Sequence, residues 1–97
     1  MRVVAHFRIS KEDEADFAAA APLVIEEGRK DSACISYELH KNLTPGSNYT
    51  EYTMIEEWSS PAAPQAHSQT PHVAMFSSAI KSWSVARPSV GKYARVF

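Results

Sequence analysis

Four histidines, His6, His40, His67 and His72, are the side chains of this sequence that titrate nearest neutrality, and their spacing limits what they can do together. His67 and His72 stand five residues apart, with the helix-opening pair Thr70-Pro71 between them. A helical zinc pair needs two histidines four apart on one face, and this spacing does not build it. Cys34 is the only cysteine and no carboxylate motif flanks the histidines, so no metal site is expected. A lone cysteine in an apolar step, Cys34-Ile35, reads as a small core hydrophobe rather than a nucleophile. Glycines 28, 46 and 91 are scattered, so there is no phosphate loop and no flavin or nicotinamide fingerprint, and no bound cofactor is expected. His6 and His40 read as structural or solvated groups. What remains is Ile55-Glu56-Glu57-Trp58-Ser59-Ser60, followed by Ala66-His67-Ser68-Gln69-Thr70-Pro71-His72. These runs offer a carboxylate, an indole and imidazoles, provided the chain folds back between them.

The elements that must bring them together are legible from periodicity. Residues 3–9 are short, apolar and β-branched, a first strand with Val3, Ala5, Phe7 and Ile9 on one face. Ser10-Lys11-Glu12-Asp13 resembles a capping box with Asp13 in place of the usual Glu or Gln. Phe17, Ala21, Val24, Ile25 and Gly28 then recur at helical spacing, which predicts a helix from about 11 to 30, kinked at Pro22. Residues 34–41 alternate, with Ile35, Tyr37 and Leu39 on one face and Ser36, Glu38 and His40 on the other. Thr44 to Asn48 is turn chemistry, and residues 49–58 form a second strand of the hairpin, with Tyr52, Met54, Glu56 and Trp58 sharing one face. Ser59-Ser60-Pro61 opens a short helix and Thr70-Pro71 opens another, on which Val73, Phe76, Ile80 and Trp83 line one face until Arg87-Pro88 stops it. Val90 to Phe97 closes as a last strand. The order βαββαβ is the ferredoxin-like split arrangement, an α+β fold whose antiparallel sheet carries its helices on one face.

Composition bounds the rest. At 97 residues the chain reads as one domain with a thin core, and chains this small commonly add disulfides, a metal or a partner subunit. The first two are not expected, so a homodimer is, with two sheets covering each other as a dimeric α/β barrel. Strands apolar on both alternations, with Val4 opposite Val3, support that expectation. Ten basic against eleven acidic residues, with no basic run, give no case for nucleic acid or an anionic membrane. No apolar run reaches the ~20 residues of a membrane span, and the N-terminus is too polar after Ala5 for a signal peptide. A cytoplasmic setting is expected, and the Asn42-Leu43-Thr44 and Asn48-Tyr49-Thr50 sequons are read as loop chemistry.

A strand ending in Glu56-Glu57-Trp58, a short Ser-Pro helix, and Ala66-His67-Ser68-Gln69-Thr70-Pro71-His72 at a helix start together resemble the antibiotic biosynthesis monooxygenase family, with its quinol monooxygenase and autoinducer-processing relatives. Ile35-Ser36-Tyr37-Glu38-Leu39 and the strand order extend the likeness over nearly the whole chain. One departure is Asp31-Ser32-Ala33 where members of the family carry a glycine-containing turn.

The resemblance implies a cofactor-independent monooxygenase acting on a quinol-like or polycyclic aromatic small molecule and dioxygen. An electron-rich phenol must lose a proton before it can pass an electron to dioxygen, so such a site needs a base and an apolar wall that excludes water. His67 is the candidate base, Trp58 and Phe76 the wall, and Tyr37, Tyr52 and Glu56 the groups that orient a hydroxyl. Glu56 would be half-buried beside Trp58 and needs a partner or a raised pKa. The alternative is a non-oxidative isomerase or a small-molecule binder using His67 and His72 as polar contacts. A phosphorylated substrate would need a local cationic cluster, and the sequence offers only scattered Lys81, Arg87, Lys92 and Arg95.

Overall fold

The computed structural model describes residues 1–44 and 46–97; Pro45, within the expected turn, lies outside the described residues. The chain runs β1 (Arg2–Ser10), a 3-10 turn (Lys11–Asp13), α1 (Glu14–Arg29), β2 (Cys34–Lys41), β3 (Tyr49–Trp58), α2 (Ala62–Ser68), α3 (Pro71–Trp83) and β4 (Ser89–Tyr93). The strands form one antiparallel sheet in the order β2-β3-β1-β4, the ferredoxin-like arrangement that the periodicity predicts. Period-two alternation sets its burial. Val3, Ala5, Phe7 and Ile9 of β1 are buried, as are Thr50, Tyr52, Met54, Glu56 and Trp58 of β3. Phe17, Ala21, Val24 and Ile25 of α1 and Phe76 and Ile80 of α3 close over this face, around a Phe7–Phe17–Phe76 cluster of tilted and edge-on rings. Register places Tyr37, Glu56, Val3 and Lys92 in a single row across all four strands. No helix among the described residues is long and apolar enough to cross a membrane.

Several local expectations are corrected. The helix begins at Glu14 rather than near residue 11, because Ser10 Oγ donates to the Asp13 carboxylate at 2.6 Å instead of capping a backbone N–H. α1 continues uninterrupted through the exposed Pro22 to Arg29. Ile35 does not share a face with Tyr37: a bulge between Cys34 and Ser36 turns it outward, leaving it 61% exposed against 3% for Tyr37. α3 stops at Trp83, ahead of Arg87-Pro88, because Ser84 bridges to Ile9 and Val85 N–H donates to the Arg8 carbonyl. β4 ends at Tyr93, four residues before the predicted end.

The sheet face away from the helices is also more polar than expected. Arg2 pairs with Glu57 at 3.1 Å, Arg8 with Glu51 at 3.5 Å, and His6 Nδ1 meets Thr53 Oγ1 at 3.0 Å. Val4 and Ile55, both half-buried, sit within that frame, and Tyr93 of β4 lies exposed beside Arg2.

Candidate functional site

β3 ends by presenting Glu56 and Trp58 two residues apart on its helix-facing side. Trp58 is fully buried, and its indole N–H donates to Glu56 Oε1 at 3.0 Å. Tyr37, the register partner of Glu56 on β2, stands beside them and is tied to α1 by the Arg29 guanidinium, which donates to the Tyr37 carbonyl at 2.7 and 3.1 Å. α2 then carries the chain back, and His67 in its last turn lies over the strand end. Its ring centre is 5.4 Å from that of Tyr37 and 5.6 Å from that of Trp58, and its Nε2 is 3.2 Å from the Tyr37 hydroxyl.

The spacing of the His67–Thr70–Pro71 run has a mechanical reason. Thr70 donates both its backbone N–H (3.1 Å) and its hydroxyl (2.8 Å) to the His67 carbonyl, which terminates α2. Pro71 occupies the first turn of α3, where its missing N–H costs nothing.

Gly28 makes room for the pair. It is buried on α1, and a β-carbon there would sit 2.5 Å from Tyr37 Cε2 and 3.2 Å from His67 Cε1. Its place on the apolar face was legible from spacing, and a glycine inside a helical pattern signals close packing. Its role at the site was not legible.

Burial governs the protonation of this cluster. It raises the Glu56 carboxyl above its ordinary range, with the Trp58 N–H and the Tyr37 hydroxyl pulling part of the way back. It raises the Tyr37 phenol strongly, with the Glu56 charge adding to the effect, so Tyr37 stays protonated. It lowers His67, against the opposing pull of Asp31 and Glu27, so the imidazole is neutral at pH 7. When the Tyr37 hydroxyl turns to Glu56 it accepts from His67 Nε2–H, and the Nδ1 lone pair is left free. A neutral imidazole in that tautomer is a competent general base.

A cavity of about 680 Å³ opens between the sheet and helices α2 and α3, within the range of small-molecule sites. Tyr37, Glu56, His67 and Phe76 line it, and Val3, Phe7 and Met54 form its apolar floor. Three expected site residues are elsewhere. Trp58 is packed behind Glu56 and His67 and does not reach the cavity. Tyr52 lies in the core against Phe17, its hydroxyl donating to Glu14 Oε2 at 2.7 Å, and burial followed by that carboxylate pushes its pKa up to about 12. His72 is exposed at the start of α3 and is not part of the lining. Conversely Lys81, Arg87 and Lys92, which look scattered in the sequence, all line this one cavity. Among the described residues no three His, Cys, Asp or Glu side chains cluster as a metal site would require.

The protein is thus a small ferredoxin-like α+β domain with a buried imidazole–phenol–carboxyl group beside a largely apolar cavity. The sequence model for antibiotic biosynthesis monooxygenase matches residues 1–79, and the chain belongs to that family. Solved structures with the same fold include Rv0793 from Mycobacterium tuberculosis (21% identity, TM-score 0.88, covering 99% of this chain and 94% of that one). They also include a conserved protein from Methanosarcina mazei Go1 (24% identity, TM-score 0.82, 93% and 86% covered). A third is described as an antibiotic biosynthesis monooxygenase (22% identity, TM-score 0.84, 98% and 97% covered). No curated protein matches the chain in sequence.

Proposed function

We propose that this chain is a cofactor-independent monooxygenase of quinol-like or polycyclic aromatic small molecules, with His67 as general base and Glu56 and Tyr37 setting its tautomer. The observation that carries the reading is the buried His67 imidazole, its Nε2 3.2 Å from the Tyr37 hydroxyl, on the wall of a cavity floored by apolar side chains. Family membership supports the general class of reaction.

The chemistry balances on substrate and dioxygen alone. His67 takes the proton of a phenol or quinol that bears hydrogen on a ring carbon ortho or para to the hydroxyl, and the phenolate passes one electron to dioxygen, leaving a phenoxyl radical and superoxide. These combine at that carbon to form a C–O bond. Loss of its hydrogen as a proton, with cleavage of the O–O bond, releases water and leaves a quinone, hydroxylated where the substrate is a quinol. An apolar enclosure favours the step by keeping bulk water from the radical pair.

A reducing cytoplasm is the proposed setting, consistent with one half-buried free cysteine. Pairing of two chains is proposed as well, supported by apolar side chains left exposed near the C-terminus, Val96 and Phe97 foremost.

The test is oxygen uptake by the purified protein across a panel of quinols and hydroxylated polycycles, alongside His67→Ala. Uptake is expected with at least one member, and the variant should turn over ~10²–10⁴-fold more slowly with little change in substrate affinity, the usual worth of a general base. Full turnover by folded His67→Ala would remove the imidazole from the mechanism.

A further inference from the structure

We propose that the cavity takes an aromatic ligand bearing an anionic substituent, a carboxylate or a phosphate ester, at the end away from the reacting hydroxyl. This deepens the reading of the site given above and rests on it. Its basis is the charge lining the cavity. Three cations, Lys81 from the last turn of α3, Arg87 from the segment that follows and Lys92 from β4, border the same space. Glu56 is the one acidic residue among the lining side chains, and burial holds its carboxyl toward the neutral form. The chain as a whole has a net charge of −1, so this concentration of positive charge is local. None of the three cations forms an ion pair among the described residues, whereas Arg2, Arg8, Lys30 and Lys41 all do. All three are exposed, and Tyr37, Glu56 and His67 are buried, so the cations border the mouth and the proton-transfer group lies inside.

Sheet register sets the scale of the ligand. Lys92 and Tyr37 occupy opposite ends of the row Tyr37–Glu56–Val3–Lys92. Three strand spacings separate their backbones by about 14 Å. Lysine and tyrosine side chains reaching inward shorten that span, and a fused-ring system with a hydroxyl at one end and an anion at the other bridges it. Cations around a low-dielectric cleft focus the field on such an anion, and three exposed ones supply a preference that salt screens.

Calorimetric titration with three redox-stable probes tests the proposal: 2-naphthol, 6-hydroxy-2-naphthoate and 6-hydroxy-2-naphthyl phosphate. At least one anionic probe should bind about tenfold more tightly than 2-naphthol at low salt. The tighter of the two anions identifies the substituent. The ratio should fall toward one as salt rises and in the Lys81→Gln/Arg87→Gln/Lys92→Gln variant, which keeps most of each side chain's length. A ratio near one in the unaltered protein, a ratio that survives in the triple variant, or no binding of any probe would each overturn the anion site. The outcome is separable from the oxygenase reading. An anion preference in the unaltered protein that the triple variant loses, with no oxygen uptake on any phenol, sinks the oxygenase and keeps the anion site, whereas uptake of neutral quinols with a ratio of one does the reverse.

Discussion

Replacing Gly28 by alanine separates two views of that residue by the sign of a melting shift. If Gly28 were an ordinary helical position, alanine would stabilise α1 by about 1 kcal/mol through helix propensity alone. The geometry predicts the opposite. The new methyl would sit 2.5 Å from Tyr37 Cε2 and 2.6 Å from Cδ2, where carbon atoms prefer ~3.5–4.0 Å. Tyr37 is 3% exposed, its carbonyl is held by Arg29 and its hydroxyl by His67, so the ring has little room to yield. Overpacking costs ~1–3 kcal/mol, and a contact this short against a held ring takes the upper part of that range, about 2–3 kcal/mol, which leaves a net loss of about 1–2 kcal/mol after the propensity gain. For a chain of this size that lowers Tm by about 4–16 °C, readable by circular dichroism. Displacement of the ring also breaks the 3.2 Å contact with His67 Nε2, so kcat for quinol oxidation should fall even where the variant stays folded. In a Tyr37→Leu background the steric conflict is gone, and the same Gly28→Ala change should become neutral or stabilising. A raised Tm with unchanged turnover in the single variant would refute the packing argument.

Three further outcomes follow from the same geometry. Because burial lowers the His67 pKa and the neutral imidazole is the proposed base, kcat should rise with pH to a plateau with its midpoint below the usual ~6.5, and His67→Ala should lose that limb of the profile. Glu56 has a folded pKa raised above its unfolded value, so it contributes most stability below pH ~4.5 and loses it as pH rises through the folded value. Glu56→Gln keeps an acceptor for the Trp58 N–H, so its Tm relative to the unaltered protein should climb between pH 4.5 and 8; a flat difference across that range would contradict the raised pKa. For the proposed pairing, sedimentation at micromolar concentration should give about twice the 10.8 kDa chain mass, and removal of residues 94–97 should weaken association. A monomer at that concentration would end the dimer proposal.

Most of the architecture is legible in the sequence, because it depends on local periodicity. Alternation along 49–58 put Tyr52, Met54, Glu56 and Trp58 on one buried face, and helical spacing put Phe17, Ala21, Val24, Ile25 and Gly28 on another. The Ala66–Pro71 run marked His67, since a helix stop and a helix start three residues apart leave a strong local signature. Periodicity could not show the bulge that turns Ile35 outward, because one extra residue in a strand reverses every later side chain without altering composition. Nor does periodicity tell which aromatic side chain borders the cavity: Trp58 is buried behind Glu56 and His67, and the Tyr52 hydroxyl donates to Glu14. The cationic mouth is the clearest case. Lys81, Arg87 and Lys92 belong to a helix end, a connecting segment and an edge strand, and only the antiparallel pairing of β4 with β1 beneath α3 brings them to one opening. Sequence spacing determines which residues share a face of one element; the distance between elements is set by packing and register, and there the grouping of charges was decided.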